Sequence, residues 1–302
     1  MTHHTYFDVI IIGGSYAGLS AAMALGRSLR KVLILDSGLP CNRQTPHSHN
    51  FLTQDGEAPH SIAEKAKAQV LRYETVQFVN GLAVIGRKIE GGFRIQIESG
   101  EEFQAKRLIF ATGIKDIMPE IKGFPESWGI SVIHCPYCHG YEFRGQKTGI
   151  MANGERAMHL AALVNNLTKQ LTLLTEGESE FNEEQKNRLD THNITVIEEG
   201  ISEIEHDKGH IKNIVFKDGR KMDFDAVYAA IPFTQHSDIP VSLGCELTEH
   251  GYIKVDPFQK TTVEGVYACG DNATMMRSVA NAVANGNVAG AIANMELTAD
   301  SF

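Results

Sequence analysis

Apolar positions in this chain fall into short runs, each ended by glycine or by a polar segment of helical length. FDVIII at 7–12 is apolar at nearly every position, with no alternation. A run like that is a strand buried on both faces, as in a parallel sheet. A helix is expected from about Ala17 to Leu25, and KVLILD at 31–36 is a second strand. Residues 60–78 pattern as an amphipathic helix followed by a strand, and 79–99 as strand and hairpin. RLIFATGIKDIMP at 107–119 is a strand, a Thr-Gly turn, an acid and a proline, the mark of a chain leaving one domain for another. KTGIM and KQLTLL follow as strands with a helical stretch between them. Residues 208–232 repeat the strand-and-hairpin pattern around an Asp218-Gly219 turn, and Pro232–Phe233 is the expected exit from the middle of the chain. GVYAC is a last short strand, with a helix expected from near Met276. Strands alternating with helices predict an α/β fold.

Composition narrows the picture only slightly. At 302 residues the chain has room for about two domains. A net charge of −9 argues against nucleic acid as a partner. No apolar run approaches the length of a membrane span, so no membrane is expected. The opening MTHHTYFDVIIIGG lacks a cationic leader region, so no signal peptide is expected there. Five cysteines are too few for a secreted disulfide scaffold, which makes a reducing cytoplasm the expected compartment.

Candidate chemistry sits where strands end. After FDVIII comes Gly13-Gly14-Ser15-Tyr16-Ala17-Gly18, a G-x-S-x-x-G turn close to the dinucleotide fingerprint, with a helix behind it to face phosphates. Asp36 ends the next strand in the place that binds ribose hydroxyls. Gly270 and Asp271 end GVYAC, suiting either a ligand with ribityl hydroxyls and phosphate or a plain helix cap. HCPYCHGY at 134–141 leaves three readings open. A structural zinc site needs four ligands, and the other cysteines, Cys41, Cys245 and Cys269, are scattered. A structural disulfide between Cys135 and Cys138 would close too small a loop to stabilise much. A redox pair is favoured by what stands elsewhere in the chain.

GGSYAGLSAA, ATGIKD, CPYC, the partial motif ANGERA at 152–157 and GVYACGD, in that order, resemble the low-molecular-weight thioredoxin reductase family of FAD-dependent pyridine nucleotide–disulfide oxidoreductases. The resemblance covers nearly the whole chain. It implies two Rossmann-like, three-layer dinucleotide-binding domains: a discontinuous FAD domain over 1–116 and 246–302, and a domain over 117–245 that carries the CxxC and a second dinucleotide fold. It implies FAD held by Gly13, Gly14, Ser15, Ala17, Gly18, Asp36, Gly270 and Asp271. Cys138 would face the flavin and Cys135 would exchange with a small dithiol or disulfide, or with a thioredoxin-like protein. It further implies a homodimer; the scattered cysteines leave no metal expected. CPYCHGYE resembles most the branch that includes dithiol oxidases. His139 stands where the reductases carry an aspartate, and as a residue that titrates near neutrality it is expected to accept and return a thiol proton. The long loop over 37–56 is expected beside the flavin, with Arg43, His47 and His49 as flavin-side candidates. Arg277 is either near the flavin or at an exposed helix start.

The second glycine motif departs from the family. Ala152 replaces its first glycine, while Gly154 and Ala157 stay in register. The strand that follows ends in Thr175-Glu176-Gly177, where the reductases carry arginines for a 2′-phosphate. Glu176 would repel that phosphate and accept from a free ribose hydroxyl, favouring NADH over NADPH. Use of either nicotinamide, and the direction of electron flow, stay open. So does a flavin-binding sensor without turnover.

Overall fold

The structure, a computed structural model, describes residues 6–302; the first five, part of the stretch read for a leader, lie outside the described residues. Two open sheets carry the chain. In the first, Tyr6–Ile12 lies between Val32–Asp36 and Glu102–Phe110, parallel to both. Val76–Asn80 extends this sheet on one side; on the other, the hairpin Ala83–Ile89 and Gly92–Ile97 and the late strand Val266–Ala268 both join Glu102–Phe110. The uninterrupted apolar run is explained by its two buried faces. Val9 and Ile11 pack with Leu19, Ala21 and Leu25 of the helix Tyr16–Arg27, while Ile10 and Ile12 pack on the opposite face with Phe93 and Ile95.

The helix Val279–Ala299 lies against Tyr16–Arg27. Its Gly286 allows this: a Cβ there would stand 2.1 Å from the Ala17 carbonyl oxygen. The helix starts three residues after the expected Met276. Ser278 accepts from the Asn281 N–H as its cap, and the Met276 N–H is taken by the Thr274 hydroxyl in the preceding turn.

The second sheet is wholly parallel, in the order Thr195–Ile197, Leu171–Leu174, Thr148–Met151, Ala226–Ala229, Val132–Ile133. Helix Gly154–Val164 packs on it beside Glu183–Thr191, and an antiparallel layer of Ile201–Asp207, His210–Phe216 and Lys221–Met222 covers its other face. Both units are therefore three-layered. The chain passes between them twice, through Ile114–Asp116 and Phe233–Gln235, which pair antiparallel. After the return, Ile239 and Cys245 join the cluster that holds Phe7 and Ile10.

Candidate functional site

The first glycine turn opens on a cavity of about 400 Å3. Gly13 has φ +106°, and a Cβ on it would lie 2.2 Å from the Ala111 carbonyl oxygen, so the turn accepts only glycine there. Asp36 holds the turn: its carboxylate accepts from the Gly14 N–H at 2.9 Å and the Gly38 N–H at 3.1 Å, and it also lines the cavity. The helix behind the turn has Ser15 at its N-cap position without a capping side-chain bond and no acid in its first turn. Its leading amides are left to a ligand, as phosphate binding requires.

Gly270 and Asp271 line the same cavity. Burial raises the Asp271 carboxyl above the ordinary range, opposed by the Arg277 guanidinium, whose Nε lies 3.8 Å away. Arg277 also grips Asp116 with two hydrogen bonds of 2.9 and 3.0 Å, so it is a buried junction and not an exposed helix start. Asn272, fully buried, donates to the Phe110 carbonyl and to Thr112, stitching the end of GVYACGDN to the ATG turn. A glycine turn with free amides, two strand-end carboxylates and a long apolar-walled cavity fit an FAD.

The cysteines lie at the other end of that cavity. The strand Val132–Ile133 leads into Cys135, which stands at the N-cap of the short helix Pro136–His139. That turn brings the Cα atoms of Cys135 and Cys138 to 5.3 Å, and the two form a disulfide. Cys138 lines the cavity and Cys135 does not. Among the described residues, no group of three or more His, Cys, Asp or Glu is placed to hold a metal ion.

Histidines crowd this end. His47, His49, His134, His139 and His236 all line the cavity. The expectation that His139 titrates near neutrality is corrected by its setting: burial pushes its pKa down to about 4, helped by nearby His49 and opposed by Glu142. His134 is pushed lower still, to about 3, by burial and then by the Arg277 charge. Both are neutral imidazoles at physiological pH. The His49 ring stands edge-on to His139 at 6.2 Å, and its Nδ1 lies 3.6 Å from Glu142 and 3.7 Å from Asp55. His47 Nδ1 is 2.9 Å from the Gly56 carbonyl. Arg43 does not join them; it is exposed and donates to the Pro40 carbonyl. Cys41, His134 and His236 line the cavity and were not singled out as site residues by the sequence; Cys41 Sγ is 4.0 Å from Asp271.

The second glycine turn is closed by its own neighbours. Asn153 caps the helix Gly154–Val164, its Oδ1 accepting from the Gly154 N–H and from the Glu180 N–H, both at 2.9 Å. Its Nδ2 donates to the Glu178 carbonyl. Glu155, in the first turn of that helix, accepts from Gln185. Glu176 turns toward Ile201 and accepts its N–H at 2.8 Å. Carboxylates of Glu155, Glu178 and Glu180 thus belong to the segments around a helix start whose first amide is already bonded.

Residues 7–286 match the family model described as pyridine nucleotide-disulphide oxidoreductase. Thioredoxin reductase tcpT of Claviceps purpurea is 34% identical, covering 99% of this chain and 97% of that relative. An oxidoreductase from Agrobacterium tumefaciens of known crystal structure is 40% identical with a TM-score of 0.91, covering 97% and 99% of the two chains. A putative thioredoxin reductase TrxB from Bacillus anthracis, also solved, is 30% identical with a TM-score of 0.93, covering 98% and 100%.

Proposed function

The chain belongs to the pyridine nucleotide-disulphide oxidoreductases as a FAD-dependent thiol–disulfide oxidoreductase of thioredoxin reductase-like architecture, and we propose that it runs in the oxidising direction, closing a small dithiol and passing its electrons to oxygen. The observation that carries the direction is the closed second turn. Asn153 occupies the first amide of the helix that would face a nicotinamide dinucleotide, and acidic segments surround that helix start. A 2′-phosphate meets repulsion there, and Glu176 is engaged with Ile201. The CPYCHGYE sequence, with His139 after the second cysteine, supports the same reading through its resemblance to dithiol oxidases.

In this reading 1–116 and 246–302 form the FAD unit and 117–245 the unit bearing the CxxC, with the helix Ile239–Ser242 already packing on the FAD side. Gly13, Gly14, Ser15, Ala17 and Gly18 receive the pyrophosphate, Asp36 the adenosine ribose, and Gly270 and Asp271 the ribityl side. A substrate thiolate attacks Cys135 Sγ, breaking its bond to Cys138 and leaving the Cys138 thiolate facing the cavity. The second substrate thiolate attacks the mixed disulfide, releasing a closed substrate disulfide and the Cys135 thiolate. His139, neutral and beside the pair, accepts a proton from the thiols. FAD, when bound, would supply the two-electron acceptor for the Cys135 and Cys138 thiolates, which close again to the disulfide, with oxygen as the final acceptor reduced to hydrogen peroxide. No helix among the described residues is long and apolar enough to cross a membrane. A homodimer is supported by the family resemblance, a cytoplasmic setting by the low cysteine count, and the negative charge speaks against nucleic acid as a partner.

Anaerobic stopped-flow absorbance of the oxidised flavin tests the direction. A small dithiol is expected to bleach it faster than NADH or NADPH, and air-saturated buffer to restore the colour. Rapid bleaching by micromolar NADPH sinks the oxidase reading and restores an ordinary reductase. In the same instrument Cys138→Ser should block electron exchange while keeping the flavin. Cys135→Ser should leave a thiolate beside the flavin, visible as a long-wavelength charge-transfer band; the reverse pattern exchanges the two sulfur roles.

A further inference from the structure

We propose that His49 is the exit for the thiol protons, taking them from His139 and delivering them to solvent at Glu142 and Asp55. The proposal rests on the dithiol-oxidising reading above. Its starting point is a proton balance. Converting R(SH)2 and O2 into the ring disulfide and H2O2 moves two electrons and two protons from sulfur to oxygen. The protons come off early, because only thiolates attack the Cys135–Cys138 bond, and oxygen takes its protons later. Reduced flavin takes up one of them with the electron pair, and something must hold or remove the other in between. His139 is next to the sulfurs but is a poor store, since burial holds it well below neutrality. A proton it accepts at pH 7 has to move on at once.

His49 is placed to receive it. The two rings stand edge-on with centroids 6.2 Å apart, a gap that one bridging water spans. On its far side His49 Nδ1 faces two carboxylates, Glu142 at 3.6 Å and Asp55 at 3.7 Å. These distances are too long for tight hydrogen bonds, so the carboxylates are placed to take the proton on through water. With Nδ1 turned to the acids, Nε2 is the nitrogen left to accept. Exposure rises along the path: the His49 side chain is 20% exposed, Glu142 37% and Asp55 69%. The series runs from cavity wall to open water.

The loop holding His49 is pinned for this task. Ser48 and Glu57 pair, Gly56 N–H donates to the Ser48 carbonyl, and His47 Nδ1 bonds the Gly56 carbonyl. Asp55 is itself oriented by the Asn50 N–H at 2.7 Å. The charged and titratable groups facing His49 are therefore His139 and Glu142 from the CxxC segment, and His47 and Asp55 from its own loop. A surface histidine of no function needs neither the second carboxylate nor the contact with His139.

The experiment uses the flavin-loaded protein. Anaerobic bleaching by a small dithiol is followed from pH 6 to 9 for the unaltered chain, His49→Gln and Glu142→Gln, in dilute buffer and again with added imidazole. His49→Gln is expected to slow bleaching at least about tenfold, a fraction of what direct acid–base groups contribute, and imidazole is expected to recover most of it. Glu142→Gln, which lies off the cavity wall, should move the rate's pH dependence to lower pH without loss of flavin. Bleaching that is unchanged in both variants, or slowed without response to imidazole and without a shifted profile, overturns the relay. A flavin in the unaltered protein that no dithiol bleaches overturns the oxidase reading and the relay with it, so the two failures are told apart.

Discussion

The two glycine turns of this protein share one plan, strand, turn and helix, and end in opposite states. At the first, the N-cap residue Ser15 makes no capping bond and the amides behind it face a cavity. At the second, Asn153 caps its helix and bonds across to Glu178 and Glu180. The strand-end acids differ in the same sense. Asp36 braces its turn while lining the cavity, whereas Glu176 is turned onto the Ile201 N–H. A helix start is an anion site only while nothing in the chain satisfies it. In the proposed reading, the fold alone therefore does not make a dinucleotide site; an unsatisfied first amide does.

The sharpest break between the two turns is a side chain at one glycine of each. Gly13→Val should give a colourless protein that does not regain flavin, because its Cβ has no room and its φ is left-handed. Gly154→Ala should keep a full complement of flavin and cost only about 1 kcal/mol in thermal or denaturant unfolding, since the nearest atoms to its Cβ belong to the flexible Glu180 side chain. Equal flavin loss in both would erase the distinction.

Opening the second turn probes it from the other side. Asn153→Gly with Glu180→Ser removes the cap and one nearby acid. Bleaching of the flavin by NADH or NADPH should then rise about tenfold, the worth of one good charged hydrogen bond. No change in the rate would mean that the barrier to nicotinamide lies elsewhere.

A smaller effect separates the regions by pH. His134 and His139 on the flavin side have folded pKa values below the ordinary histidine value. Between that value, about 6.5, and their own lower ones the unfolded chain binds more protons than the folded one. Their contribution to stability is thus present above pH 6.5 and is lost as pH falls toward 4. The loss is on the order of 1 kcal/mol per imidazole at pH 5 after discounting for partial exposure. Melting curves at pH 7 and pH 5 measure it, and His139→Phe should reduce the slope.

Much of the flavin side was legible because its signals are local. The FDVIII run, the Gly13 turn and Asp36 lie within one strand–helix–strand unit and follow its periodicity. The closed state of the second turn was not legible. Ala152 and Glu176 hinted at a weakened site, but the closing bonds join Asn153 to a loop 25 residues on, and Glu176 to the strand after next. No spacing rule reports such contacts. The depressed basicity of His139 was hidden for a like reason, since burial comes from the assembled loops over 41–49 and 134–139. The late helix start was missed because Thr274 and Ser278 compete as turn and cap within a few residues.

The paired crossing strands have a topological consequence. Ile114 and Gln235 sit opposite each other, so the chain leaves the flavin-side unit and re-enters it at neighbouring points, about 5 Å apart at Cα. The whole middle unit is an insert in a loop. Cut out after Ile114 and rejoined at Gln235, the remainder keeps every strand of its own sheet and needs a splice of about two residues.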